Sequence, residues 1–358
     1  MNLGIFLSSG ESFQSMTKSG QDIRYKEFYL KIFSKKFTKI FIFSYANEKL
    51  NGLPNNIIII PNKYNLHRFV YGFLLPFLNI KKIRQCDVFR AYHLLGTIPA
   101  VITKIFFGKP YLFNYSYDYR KFAKIENKMF QYVLLSLIHF PVVFFASKII
   151  ITLRKTEKWF SKNKVIYIPN GVDINIFRPK KKIIRERPVI LSVGRLEVQK
   201  NYKNLILALK NLNIDLVIVG NGSLRDNLID LAKKNRINLK IIKKIDNTKL
   251  PEIYNDANIF VLPSLIEGPN KSILEAMACQ LPVIGSNVDG INEVILDGVD
   301  GVFCSTTVKS IREKIQKLIS NPRLSREIAI NARRKVINKF NLSNLLEEEI
   351  ISLKGIKN

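Results

Sequence analysis

Cysteine, histidine and acidic side chains are scarce in this chain, and each shortage removes a class of chemistry. Only Cys86, Cys279 and Cys304 occur in 358 residues. Their number is odd, their spacing matches no metal knuckle, and Cys279 falls inside a helical pattern, so a disulfide scaffold and a zinc ribbon are both excluded. A reducing compartment follows. The three histidines, His67, His93 and His139, form no His-Glu-x-x-His helix and no Ser-His-Asp order, which removes zinc hydrolases and triad hydrolases. Long apolar runs are missing too. The most apolar stretch, 129–153, contains Gln131, Ser136, His139, Pro141 and Lys148 and reads as a helix followed by a strand rather than a membrane span. Residues 1–7 read as a short buried strand without the basic flank or cleavage site of a signal peptide.

Base and bulk are present in excess. The 57 Lys and Arg outnumber 28 Asp and Glu, for a formal charge of +29, which demands an anionic partner: nucleic acid, anionic lipid or a phosphorylated substrate. A hydrophobic content of 47% over this length suits two α/β domains. Short β-branched and aromatic runs alternate with amphipathic helical stretches throughout, the pattern of βαβ units. The first series of strands is 3–7, 40–43, 57–60, 88–91, 111–114, 149–152 and 165–168; the second is 189–193, 216–219, 239–242, 259–262, 283–285 and 301–303. These runs are apolar on both faces, as in sheets covered by helices on both sides, so the expected fold is α/β with two Rossmann-like, doubly wound parallel sheets. The Asn170-Gly171 turn and the polar segment around Arg178-Pro179 separate them. We assign 1–173 to an N-terminal domain, 174–187 to a linker, 188–340 to a C-terminal domain and 341–358 to a C-terminal helix free to return to the N-terminal domain.

Two constellations carry chemistry. Gly194-Arg195-Leu196-Glu197-Val198-Gln199-Lys200-Asn201 lies between a buried strand and a helix beginning at Tyr202. Ligands of open α/β sheets bind beyond the carboxyl ends of strands, where Arg195 and Lys200 can clamp a diphosphate. The second, Pro263 to Cys279, follows a strand, turns through Gly268-Pro269-Asn270 and opens a helix whose N–H groups at Asn270, Lys271 and Ser272 suit an anion. Glu267 precedes the turn, while Glu275 lies among Leu274, Ala276, Met277 and Ala278. A carboxylate in so apolar a turn is retained for a partner.

Together with Gly220-Asn221-Gly222 and Ile168-Pro169-Asn170-Gly171-Val172-Asp173, these elements resemble the retaining glycosyltransferases of the GT-B fold, the group-one family with a Glu-x7-Glu motif. The resemblance covers essentially 165–303, while the N-terminal half shares only element order and the Gly20 loop. It implies two facing domains closing over a nucleotide diphosphate sugar, which is a co-substrate rather than a cofactor. On that reading Arg195 and Lys200 hold the diphosphate, Glu275 the ribose, and Glu267 with the backbone of Asn270, Lys271 and Ser272 the transferred sugar. Gly194, Gly220 and Gly222 shape the nucleotide cleft, and Gly20 approaches the diphosphate from the other domain. The implied activity is hexosyl transfer to an acceptor hydroxyl with retention, in surface polysaccharide or glycolipid assembly. Two departures stand out. Lys243 replaces a glycine common in relatives, and Asn114-Tyr115-Ser116-Tyr117-Asp118 lacks their histidine, leaving His93 at the preceding strand end as the candidate.

No Asp-x-Asp pair follows a strand, so no divalent ion is expected and protein cations neutralise the leaving group. A nucleotide-sugar 2-epimerase is an alternative, but it needs acid and base carboxylates and only Asp118 offers itself. A non-enzymatic nucleic-acid binder is another, although the basic residues are spread along the chain without an aromatic recognition module. The charge is better used at a membrane. Arg120, Lys121, Lys124 and Lys128 recur beside Phe122, Met129 and Phe130, and Lys31, Lys35, Lys36 and Lys39 cluster in an early helix, faces that suit anionic headgroups. The expected location is cytoplasmic, peripherally on the inner face of a membrane, with a glycan or lipid-linked acceptor.

Overall fold

The computed structural model describes residues 1–19, 22, 25–116, 120, 128–180, 185–243, 245 and 249–356. Gly20, Tyr117, Asp118, Lys121, Phe122 and Lys124, all singled out above, lie outside the described residues. Two compact units are present: Met1–Pro169 with Ser343–Asn358, and Asn170–Leu342. The boundary thus falls a few residues before the one expected. Val172 is tied to the second unit by backbone bonds with Phe340 and Leu342. The expected linker is no free tether either, since Ile174, Ile176 and Phe177 pack into the second core.

Each strand expected from the sequence is present. In the first unit β1 (Asn2–Phe6), β2 (Lys39–Phe43), β3 (Ile57–Ile60), β4 (Val88–Tyr92), β5 (Tyr111–Tyr115), β6 (Lys148–Ile151) and β7 (Val165–Tyr167) form one sheet in the order β3-β2-β1-β4-β5-β6-β7. All its pairings are parallel. Phe6, Phe41, Phe43, Phe89 and Phe113 point to one face, where Tyr71, Leu75 and Ala100 of the helices Arg68–Leu78 and Ile98–Phe107 cover them. On this sheet Arg90 and Glu349 form a buried ion pair, with Nη2 2.9 Å from Oε2, and Arg90 stacks on the Tyr92 ring at 3.8 Å. The pair fixes the C-terminal helix Leu342–Lys354 to the first unit, and Lys36 adds a half-exposed contact to Glu347 at 3.0 Å. Lys39 does not share the early helix with Lys31; the helix Lys31–Ser34 ends first, and Lys39 opens β2.

The second unit repeats the plan with β8 (Val189–Val193), β9 (Asp215–Val219), β10 (Asn238–Ile242), β11 (Ile259–Leu262), β12 (Val283–Ser286) and β13 (Val302–Cys304), in the order β10-β9-β8-β11-β12-β13, again parallel. Successive residues of β11 alternate between two cores: Phe260 and Leu262 face the helices Lys271–Ala278 and Pro322–Lys339, while Ile259 and Val261 face Tyr202–Ala208 and Val308–Ser320. Helices on both faces explain why the strands read as unbroken apolar runs. The strand order reverses between β8 and β11, which leaves a crevice at their carboxyl ends.

Candidate functional site

The crevice is built from four chain segments. After β8 the chain leaves through Gly194 and Arg195, with Gly194 N–H donating to Val219 O at 2.9 Å. After β9 it passes Gly220 and Gly222, where only glycine fits: a Cβ on Gly220 would collide with the Gly194 carbonyl, and one on Gly222 would lie 2.5 Å from Leu196 O. These glycines let two strand-end loops lie backbone to backbone and keep the floor low.

Lys200 closes a short 3₁₀ turn, Val198–Lys200, and Asn201 then adopts a left-handed conformation at φ 57°. The Asn201 side chain donates to Pro263 O at 3.1 Å and Thr306 O at 2.8 Å, which ties this turn to the segment after β11. Lys200 is therefore not the solvated lysine of a basic loop. It is buried, and its Nζ stands 2.5 Å from Glu267 Oε2, which also accepts from Ser264 Oγ at 2.8 Å. Arg195 differs: it is exposed and has no acidic partner among the described residues. One cation of the expected clamp is thus paired with a carboxylate, while the other is exposed without an acidic partner among the described residues.

The Gly268-Pro269-Asn270 turn leads into the helix Lys271–Ala278. Asn270 is its N-cap, accepting from Ile273 N–H at 3.2 Å and Ser272 Oγ at 2.6 Å. The helix thus begins just beyond the end of β11, where first-turn N–H groups look outside the helix for acceptors. One turn on, Glu275 is buried and accepts from the Tyr254 hydroxyl at 2.9 Å. Burial and the adjacent Glu275 carboxylate push the Tyr254 phenol well above its usual range, so it remains a donor. Each of the two carboxylates therefore has one oxygen held by a buried hydroxyl. Cys279, at the end of this helix, is also buried, which with the nearby Glu275 raises its thiol to about 12 and leaves it inert.

Residues 173–335 match the family described as glycosyl transferases group 1. That match lies within the second unit, Asn170–Leu342. Its matched span holds Gly194, Arg195, Lys200, Gly220, Gly222, Glu267, Asn270, Lys271, Ser272 and Glu275. The chain is 29% identical over 288 residues to the capsular polysaccharide biosynthesis glycosyltransferase CapM of Staphylococcus aureus, covering 73% of both proteins. It spans about half the length of several other curated relatives that it matches. Among solved structures, sucrose-phosphate synthase from Thermosynechococcus elongatus superposes with a TM-score of 0.81 at 17% identity, covering 99% of this chain and 98% of that one. Anabaena HepE in complex with UDP-glucose gives 0.74 at 16% identity, covering 99% of each. At that identity the likeness establishes the fold, which is GT-B.

His93 lies outside the matched residues. It lies in the first unit, just after β4, in a left-handed conformation at φ 57° that opens the short helix His93–Gly96. The loop after β1, expected to turn its backbone toward a phosphate, already holds an anion of its own. Buried Glu48 accepts from Phe13 N and Gln14 N, at 3.0 Å each, and from the Ser44 hydroxyl. Ser264 and Tyr254 received no role from sequence. Their hydroxyls become visible only when their distances to Glu267 and Glu275 are known, although Ser264 stands inside the motif that drew attention to Glu267.

Proposed function

We propose that the protein transfers a hexosyl group from a nucleoside diphosphate sugar to an acceptor hydroxyl, with retention, in the assembly of a surface polysaccharide or glycolipid. The observation that carries this reading is the pair of buried carboxylates that follow β11: Glu267, ion-paired with Lys200, and Glu275, held by the Tyr254 hydroxyl. A buried carboxylate held in place by a hydroxyl suits hydroxyl recognition, as a ribose and a sugar ring require. As the glycosidic bond breaks, negative charge gathers on the leaving diphosphate. Arg195, Lys200 and the N–H groups at Asn270 to Ser272 are the groups of this domain that answer it; the helix N–H groups are fixed by the fold, and the two side chains turn toward the charge as it grows. Protein cations then take the place of a divalent ion. The polysaccharide assignment draws on the likeness to CapM.

The acceptor reading extends to an anionic bilayer, docked by the first unit. The helix Met129–Phe145 buries only Val142 in the core and exposes Phe130 by 82%, Leu137 by 67% and Phe140 by 72% along one face. Phe73, Phe77 and Phe106 of the helices Arg68–Leu78 and Ile98–Phe107 are exposed as well, with the Phe77 and Phe106 rings 5.1 Å apart. Aromatic side chains in such number, on a chain of charge +29, match a lipid interface with anionic headgroups. No described helix is long and apolar enough to cross a membrane.

The deciding experiment is a release assay of the full chain against a panel of nucleotide sugars, reading nucleoside diphosphate with and without chelator. Release from one donor, unchanged by EDTA and lost in Glu275→Ala, is the expected result. Release from none, or complete dependence on a divalent ion, would sink the reading.

A further inference from the structure

Ser264 is fully buried, so it touches neither solvent nor anything that solvent brings. Its hydroxyl nevertheless joins Lys200 at the same oxygen, Glu267 Oε2, while Oε1 of Glu267 receives no hydrogen bond from the described residues. The two donors are not equivalent. Lys200 carries the charge that a diphosphate would compete for, and its flexible stem lets the ammonium turn. Ser264 has no other partner to turn to, and its backbone is pinned. Ser286 Oγ, at the end of β12, donates to Ser264 O at 2.6 Å. Leu265 N donates to Gln199 O at 2.8 Å. Gly290, at φ 81°, lies so close to Gly268 O that a Cβ there would collide with it. The turn carrying Glu267 is thus clamped from both sides of β11.

We infer that Ser264 is a positioning residue for Glu267: its hydroxyl retains Oε2, and so keeps Oε1 aimed out of the turn, while Lys200 shifts its ammonium to the leaving diphosphate. The role rests on the glycosyl-transfer reading above. A carboxylate that has lost its lysine and lacks the serine swings through several rotamers, so the fraction of donor met in the productive geometry falls. Donor binding through Arg195 and Glu275 does not pass through Ser264 and is left as it was.

The test compares wild type, Ser264→Ala and Ser264→Thr as full chains, with the donor found in the panel and with UDP as the binding probe. Expected is a fall in kcat of about tenfold or more for Ser264→Ala, with KM and the UDP Kd within about twofold. Ser264→Thr, which restores the hydroxyl, should recover most of the rate. A kcat near wild type in Ser264→Ala would overturn the inference. So would a loss that Thr does not rescue, or one matched by weaker UDP binding or a lower Tm. If wild type releases no nucleotide from any donor, the functional reading fails by itself. A crystal structure of Ser264→Ala then decides the inference: Glu267 displaced from its present position upholds it, and Glu267 unmoved refutes it.

Discussion

The two sheets share the order of their first six strands but equip their first loops in opposite ways. After β1, the N–H groups that open the helix Phe13–Ser19 are filled by the chain's own carboxylate, Glu48. After β8, the corresponding segment presents Arg195 to solvent and a Lys200–Glu267 pair at the switch point. A crossover helix beginning beyond a strand end attracts an anion in either unit, because its first N–H groups are unpaired. In the first unit the anion is built in, which spends that attraction on stability. In the second, Arg195 stays exposed without an acidic partner among the described residues, and Lys200 is paired with Glu267. The same topology therefore specifies where a phosphate can bind, and the side chains that fill or spare the place specify whether it does.

The largest effect expected from this contrast is at Lys200. Lys200→Ala leaves Glu267 a buried unpaired charge, so we expect turnover to fall by at least a hundredfold and stability by about 3–5 kcal/mol. Arg195→Ala should lower turnover by about tenfold or more with an unchanged denaturation midpoint, since the exposed side chain supports nothing in the fold. Denaturant titration beside the release assay separates the two. Equal behaviour of both variants would break the distinction between a paired and an unpaired cation.

Next in size is the apolar face of the first unit. The full chain should sediment with phosphatidylglycerol vesicles and be released in a graded way by salt. Replacing Phe130, Leu137 and Phe140 by glutamate should weaken this about tenfold or more without altering nucleotide release. Sedimentation that persists in the triple variant would show that the charge alone does the docking and leave the exposed aromatics without a function.

The smallest effect sharpens the comparison directly. Glu48→Ala should cost about 1.5–3 kcal/mol of stability, the loss of charge-assisted bonds to Phe13, Gln14 and Ser44. Inorganic phosphate should then raise the Tm of the variant more than that of wild type, because the vacated N–H groups become an anion site. No added response to phosphate would mean that the two first loops differ by more than one carboxylate.

Much of this was legible beforehand for a physical reason. A strand covered by helices on both faces has no polar face to display, so β8 and β11 appear as short unbroken apolar runs whose ends can be read within a residue or two. The loops that follow them announce themselves by residue type, as Gly220, Gly222, Arg195 and Glu267 did. Pairings across long separations are different. Lys200 and Glu267 lie 67 residues apart and Arg90 and Glu349 lie 259 apart, and nothing in either neighbourhood names the partner.

Local composition by itself determined the two parallel α/β units, the strand positions and the segments that form the crevice, since burial on both faces and turn chemistry act over a few residues. Only the tertiary structure decided the states of the charged groups within them. Whether Lys200 is solvated or paired, whether the helix beginning at Phe13 is open or capped, and which unit holds the C-terminal helix all depend on side chains brought together from distant segments. A buried charge is stable only beside its partner, and it is the packed chain that supplies one.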